Sequence, residues 1–328
     1  MSESAHPRPL LVSAVSTNLP ELRAHWRQAS SNRDRPLQIL GGTSKPAVDL
    51  GGALLRTGSA RVVTMAMPAA MERDGDSLLV TSPWAVHRLS ATLDIVDSLV
   101  WDLPVLNAVH WLARSEAGWL VVCSGLDLII EVDALGRIAW EWWAIDHGYE
   151  TDPLGRRRTI DRTIDHRGID YGTISSTTHV NSACELPDGS IAATLFHRGE
   201  LVRIARNGSI ETLLAGLDHP HAVRRLADGR LSLVDTGNGR VLLVDPEAEP
   251  GPAFEVRGIP GVGRWLQDAR WEEPPGQWVL VDGEGSRTMC IPGRTPEAVC
   301  VADATVEQHQ VDWRLYGALT DPWHEAQG

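Results

Sequence analysis

Four histidines, His179, His197, His219 and His221, stand close together in this sequence, and His110 lies farther upstream. A neutral imidazole can act as base, nucleophile or metal ligand near pH 7. His179-Val180-Asn181 and His219-Pro220-His221 each place two polar side chains two residues apart. On an extended strand that spacing turns both toward one face. His197 is followed by Arg198, whose guanidinium fork matches sulfate, phosphate or carboxylate. An exposed arginine on a strand edge is the blander account of Arg198.

The elements that must position these groups follow from a repeat. Asn181–Asp188, Gly189, Ser190–Phe196 and Glu200–Arg206 are followed by His221–Asp228, Gly229, Arg230–Asp235 and Gly239–Asp245. Each unit reads as strand, Asp-Gly turn, strand, polar turn, strand, with two-residue alternation in the strands. Weaker copies centre on Gly75, Gly118, Gly276 and Gly317, at spacings of 43, 71, 40, 47 and 41 residues. The gap of 71 is one period plus an insertion of about 30 residues, placed at 146–175 because that stretch is charged and strand-poor. Periods of about 40–50 residues with about four short strands each indicate propeller blades. The expectation is one all-β domain over residues 1–328, a six-bladed β-propeller closed by strands from both termini. Leu10–Ser16, Glu21–Trp26 and Pro36–Leu40 are the candidate N-terminal strands.

Counting eight residues back from each glycine gives Met67, His110, Asn181, His221, Asp268 and His309 as one ring facing the central channel. A register slip of one residue would turn any of them away. His110, His221 and His309 fall in alternate blades and suggest a three-histidine site for zinc, iron or copper. Asn181 and Asp268 enter as further ligands or as partners that orient a histidine. The alternative is a wet channel mouth capped by polar groups.

Thr178-His179-Val180-Asn181-Ser182, with Leu186-Pro187-Asp188-Gly189 and Arg198, resembles the H-[IV]-N-S … S-x-R element of nucleotide-independent arylsulfotransferase-type propellers. His221 with Asp228-Gly229 and Asp235-Thr236-Gly237, and His110 with Trp140-Glu141-Trp142 and Asp146-His147, are similar to further elements of that family. The similarity covers blades two to four. It implies sulfuryl transfer between phenols, with His221 as nucleophile, His110 and His179 assisting, and Arg198 clamping the sulfuryl oxygens. Apart from the resemblance, Asn181, His219, His197 and Asp268 are the candidate substrate-binding residues, and Asp268 and His309 are ring groups outside that family's pattern.

Three functions stay open: a sulfuryl-transferase-like enzyme without cofactor, a metal-dependent lyase, cyclase or oxygenase, and a non-catalytic protein-binding propeller. The ligand under either enzyme reading is a small molecule, aromatic or anionic. The insertion at 146–175 would cover the channel mouth as a lid or run as a solvated loop. A net charge of −13 opposes docking on nucleic acid or anionic membranes. The N-terminal stretch has no basic segment followed by a long apolar one, and no apolar run reaches membrane-spanning length, so a cytoplasmic protein is expected. The four cysteines form no C-x-x-C pair and read as buried thiols. The 13 tryptophans suit either a ligand pocket or the seams between sheets.

Overall fold

Asp188-Gly189 and Asp228-Gly229 close hairpins as the alternation predicts, with φ of 81° and 91° at the two glycines. Residues with a Cβ avoid that left-handed region. The computed structural model describes residues 9–15, 51–59, 61–246, 251–255, 265–309 and 314–323. It contains six four-stranded antiparallel sheets arranged as a six-bladed β-propeller.

The chain enters through β1 (Leu10–Val15), β2 (Gly52–Arg56) and β3 (Val62–Thr64). It then builds five consecutive blades. The first is β4 (Met71–Asp74), β5 (Ser77–Ser82), β6 (Ala85–Leu89) and β7 (Ile95–Asp97). The second is β8 (Val109–Arg114), β9 (Gly118–Cys123), β10 (Leu128–Asp133) and β11 (Ile138–Trp143). The third is β12 (Val180–Glu185), β13 (Ile191–Leu195), β14 (Glu200–Ile204) and β15 (Ile210–Leu214). The fourth is β16 (Pro220–Arg225), β17 (Leu231–Asp235), β18 (Arg240–Val244) and β19 (Gly251–Glu255). The fifth is β20 (Leu266–Glu272), β21 (Gln277–Asp282), β22 (Arg287–Pro292) and β23 (Thr305–Gln308). Finally β24 (Arg314–Thr320) pairs with β1 and supplies the innermost strand of the sixth sheet. Strands from both termini thus close the ring, which removes an open sheet edge. Of the expected N-terminal strands, Leu10–Ser16 matches β1 within a residue, whereas Glu21–Trp26 and Pro36–Leu40 lie outside the described residues.

Among the described residues several tryptophans lie at the seams between blades. Trp142 and Trp278 are fully buried, and Trp111 donates its indole N–H to Ala183 O of the next blade at 2.9 Å. Arg114 lies 4.0 Å over the Trp119 ring while reaching Asp74 of the first blade at 2.6 Å. All four cysteines are free; Cys123 and Cys184 are buried, but Cys290 is half-buried and Cys300 exposed, so only two fit the expectation. Among the described residues no helix is long and apolar enough to cross a membrane.

The insertion between β11 and β12 is tied down along its length. Arg158 pairs with buried Asp127 and the Gly125 carbonyl, and the Asn107 amide donates to His166 O at 2.7 Å and Ile169 O at 2.8 Å. Its last residues border His179 and His197.

Candidate functional site

Bulges in the inner strands aim the site residues. In β8, β12, β20 and β24 the ladder skips one residue, which is His110, Asn181, Gln267 and Tyr316 respectively. Ala69 and Ala70 share Thr81 in the same way in the first blade, and His221 stands where the ladder of β16 becomes irregular. A bulge bends the strand and re-aims a side chain. The ring of equivalent positions is therefore Ala69, His110, Asn181, His221, Gln267 and Tyr316.

Counting from the glycines found three of these six. In blade five β20 runs seven residues where β12 and β16 run six, so the count stops at Asp268 instead of Gln267. Blade one has a tight hairpin pairing Asp74 with Ser77, which displaces the count to Met67. Gly317 lies inside β24 and closes no turn. Counting back from it lands on His309, at the end of the outermost strand of blade five. There His309 Nε2 meets Thr288 Oγ1 at 2.8 Å and Nδ1 lies 4.0 Å from Glu307. The set His110, His221 and His309 is not assembled, and among the described residues no three His, Cys, Asp or Glu side chains are grouped to hold a metal ion.

The ring position expected for Asp268 belongs to Gln267. Asp268 pairs with Arg224 at 2.6 Å below the ring, next to the Arg270–Glu72 pair, and Arg224 lies 4.4 Å over the Trp111 ring. Asp268, Arg224 and Arg270 line, together with Asn181, His221, Gln267 and Tyr316, one small cavity with room for about one or two waters.

A hydrogen-bonded chain fixes two imidazoles. The His219 carbonyl can only accept, so His221 Nδ1, at 2.8 Å, must carry the proton. His221 Nε2 then accepts from the Asn181 amide at 3.1 Å, and Asn181 Oδ1 accepts from His110 Nδ1 at 3.1 Å. Both nitrogens of His221 are thus engaged inside the protein, and its Nδ1 also lies 2.8 Å from Thr236 Oγ1. The nucleophile role that the family resemblance implied for His221 does not fit this arrangement. His110 instead keeps its Nε2 lone pair outside the chain.

Further rings stand around these two. His110 lies 5.0 Å from His179 and 5.7 Å from Tyr316 between ring centroids. His179 lies 5.7 Å from His197, whose Nε2 donates to Thr173 O at 2.9 Å. Phe196 packs against His219 at 4.4 Å and His221 at 5.4 Å, and Trp265 lies 5.6 Å from His219. Burial holds the imidazoles neutral: His110 is lowered to about 4, His197 to about 4, His221 to about 3, and His179 well below its usual range. The Arg314 charge pushes His110 and His221 further the same way. Burial raises the Tyr316 hydroxyl far above its ordinary value, so it stays a donor.

Arg198 is not part of this cluster. Its exposed guanidinium donates to Thr151 O at 2.9 Å and lies 5.5 Å from the Tyr149 ring in the insertion.

The residues two before the ring positions form an upper layer that includes His179, His219, Trp265 and Arg314. His179 and His219 have φ of 46° and 56°, a left-handed conformation that costs a side-chain-bearing residue of order 1–2 kcal/mol. Asp127 offsets this at His179: fully buried, it accepts the backbone N–H groups of Thr177, Thr178 and His179 at 2.7, 2.9 and 2.6 Å. Sequence reasoning missed Asp127, Trp265, Arg314 and Tyr316. The two-residue spacing of Trp265/Gln267 and Arg314/Tyr316, the same as His179/Asn181, was a usable signal for the last three; Ser-Gly-Leu-Asp around Asp127 offers none.

No family model matches the chain, and no curated relative does. Among solved structures, a chain of a nidogen/laminin complex is similar at 12% identity, with a TM-score of 0.54, covering 94% of this chain and 97% of that one. A streptogramin B lyase is similar at 11% identity, with a TM-score of 0.50, covering 80% of this chain and 76% of that one. At such identity the likeness establishes the propeller fold alone.

Proposed function

We propose that this protein is an enzyme that moves a sulfuryl group from an aryl ester to a phenol through His110, in the mouth of the propeller channel. The observation that carries the reading is the chain from His110 through Asn181 and His221 to the His219 carbonyl, which presets His110 with Nδ1 protonated and Nε2 as a lone pair. A nucleophile needs that state before substrate arrives.

The environment favours group transfer over proton abstraction from carbon. An imidazole lowered to about 4 is a weak base, far from the neutral range that suits a general base. The same low basicity makes it a good leaving group once it carries a sulfuryl group. Nε2 attacks sulfur, the S–O bond to the aryl oxygen breaks, and the first phenol departs. The oxygen of a second phenol then takes the sulfuryl group and the N–S bond breaks. Arg314, whose charge acts on His110 and whose guanidinium lies 5.3 Å over the Tyr316 ring, and Tyr316, whose ring lies 5.7 Å from that of His110, would offset the charge on the group in flight. Phe196, His219 and Trp265 pack into one aromatic cluster, which the aryl moiety would meet at the half-exposed His219. This chemistry needs no cofactor, and its partner is a small anionic aromatic molecule.

The test is incubation with 4-nitrophenyl sulfate and a phenol acceptor, followed by peptide mass spectrometry. A sulfuryl adduct on His110, and loss of turnover in His110→Ala, are expected. Turnover that survives His110→Ala, or an adduct on another histidine, overturns the assignment.

A further inference from the structure

We infer that Asp218 and His219 form the proton-transfer dyad of this mouth, a role that rests on the group-transfer reading. Transfer through His110 leaves an aryl oxygen that must gain a proton, and the acceptor phenol must lose one. Neither proton belongs on the His110–Asn181–His221 chain, where both nitrogens of His221 and Nδ1 of His110 are occupied.

His219 has the features the task requires. Its Nδ1 meets Asp218 Oδ1, which fixes the ring and leaves Nε2 as the working nitrogen. Its side chain is 41% exposed and that of Asp218 47%, whereas His179 and His221 are buried residues. His219 is thus a mouth imidazole whose side chain reaches solvent; His110 and His197 are half-buried too, but His197 is tied to Thr173 O and His110 would carry the sulfuryl group. The His219 ring packs on Phe196 at 4.4 Å and Trp265 at 5.6 Å, beside His221.

The surroundings hold the pair in place. Asp218 N–H donates to buried Asp235 Oδ1 at 2.7 Å, and Gly237 N–H donates to Asp218 O at 2.9 Å. A Cβ added at Gly237 would stand 2.1 Å from Asp218 Oδ2, so this carboxylate position depends on a glycine there. His219 itself keeps a left-handed φ of 56° to reach the site.

In the first half-reaction protonated His219 gives its Nε2 proton to the departing aryl oxygen as the S–O bond breaks. In the second, Nε2 takes the proton of the acceptor phenol as that oxygen attacks sulfur and the N–S bond breaks. The cycle returns His219 to its starting state.

The experiment compares wild type, His219→Ala, Asp218→Asn and Gly237→Ala on 4-nitrophenyl sulfate and phenyl sulfate. Loss in His219→Ala should grow with leaving-group basicity, from about 10-fold on the first to about 1000-fold on the second. Asp218→Asn and Gly237→Ala should show smaller losses with the same trend. Equal losses on both donors mark a structural role and overturn the proposal. If wild type transfers from neither donor, the sulfuryl reading fails by itself, and carbethoxylation by diethyl pyrocarbonate reads the dyad alone. His219 should then be modified faster than His110 and His179, and several-fold more slowly in Asp218→Asn. Modification of His219 no faster than the others, or no response to Asp218→Asn, overturns the dyad.

Discussion

The carboxylate of Asp127 accepts the backbone N–H of His179 at 2.6 Å, so a residue of blade two fixes the entry of the inner strand of blade three. Arg158 reaches the same carboxylate from the insertion, with side-chain exposures of 8% and 0% for the pair. The left-handed backbone at His179, the buried charge and the attachment of the insertion are one construction.

Arg158→Met should therefore destabilise the protein by about 3–5 kcal/mol, because it leaves a buried carboxylate uncompensated. The double variant Asp127→Asn/Arg158→Met should lose less than the sum of the two single changes. Denaturant unfolding of the four proteins checks this, and additive losses would show that the two side chains do not act as a pair.

Acid should unfold this protein through its histidines. His110, His197 and His221 titrate at about 4, 4 and 3 when folded, and near 6.5 when unfolded. Above pH 6.5 both states are neutral and these groups add no pH dependence. Below it the unfolded chain binds protons that the folded chain refuses, so stability falls as pH drops from about 6.5 toward 4. Each such histidine contributes a slope of up to ~1.4 kcal/mol per pH unit. Urea midpoints measured from pH 7.5 to 4.5 should show the decline, and His221→Asn should make it shallower.

Asn181→Asp should invert part of that behaviour. The amide donates to His221 and accepts from His110, whereas a carboxylate only accepts. The variant brings a negative charge within hydrogen-bond reach of both rings, which favours their protonated forms. Ring ¹⁵N shifts of His110 and His221 should titrate at higher pH than in wild type, and the stability loss below pH 6.5 should shrink. Unchanged titration of both rings would show that Asn181 does not bridge them.

The repeat made the propeller legible because it is a property of turns, and Asp188-Gly189 and Asp228-Gly229 recur at fixed spacing whatever the inner strands do. The ring was legible only where strand and turn lengths also repeat, as for His110, Asn181 and His221. Beyond those blades one extra residue in β20, a shorter hairpin after Asp74 and a mid-strand glycine at 317 shift the count. Tyr316, Gln267 and Ala69 were lost for that reason. Arg198 shows a different limit: its type suits an oxyanion, but the chain turns after Phe196 and directs the side chain to Thr151 and Tyr149. Asp127 belongs to a third kind, since its partners lie about 50 residues away and only the packed fold brings them together.

Closure of the ring provides the last prediction. Ser13 in β1 is fully buried, donates to Ala69 O of blade one at 2.8 Å, and accepts Gly317 N–H of β24 at 2.9 Å. One hydroxyl thus links the N-terminal strand, the C-terminal strand and the neighbouring blade. Ser13→Ala leaves a buried donor and a buried acceptor unsatisfied and should cost about 1–3 kcal/mol. Because the lost bonds lie at the junction of the two termini, hydrogen exchange should rise first in β1 and β24 and leave β12 and β16 protected. Uniform exchange across all blades would show that closure is no weaker than the rest of the ring.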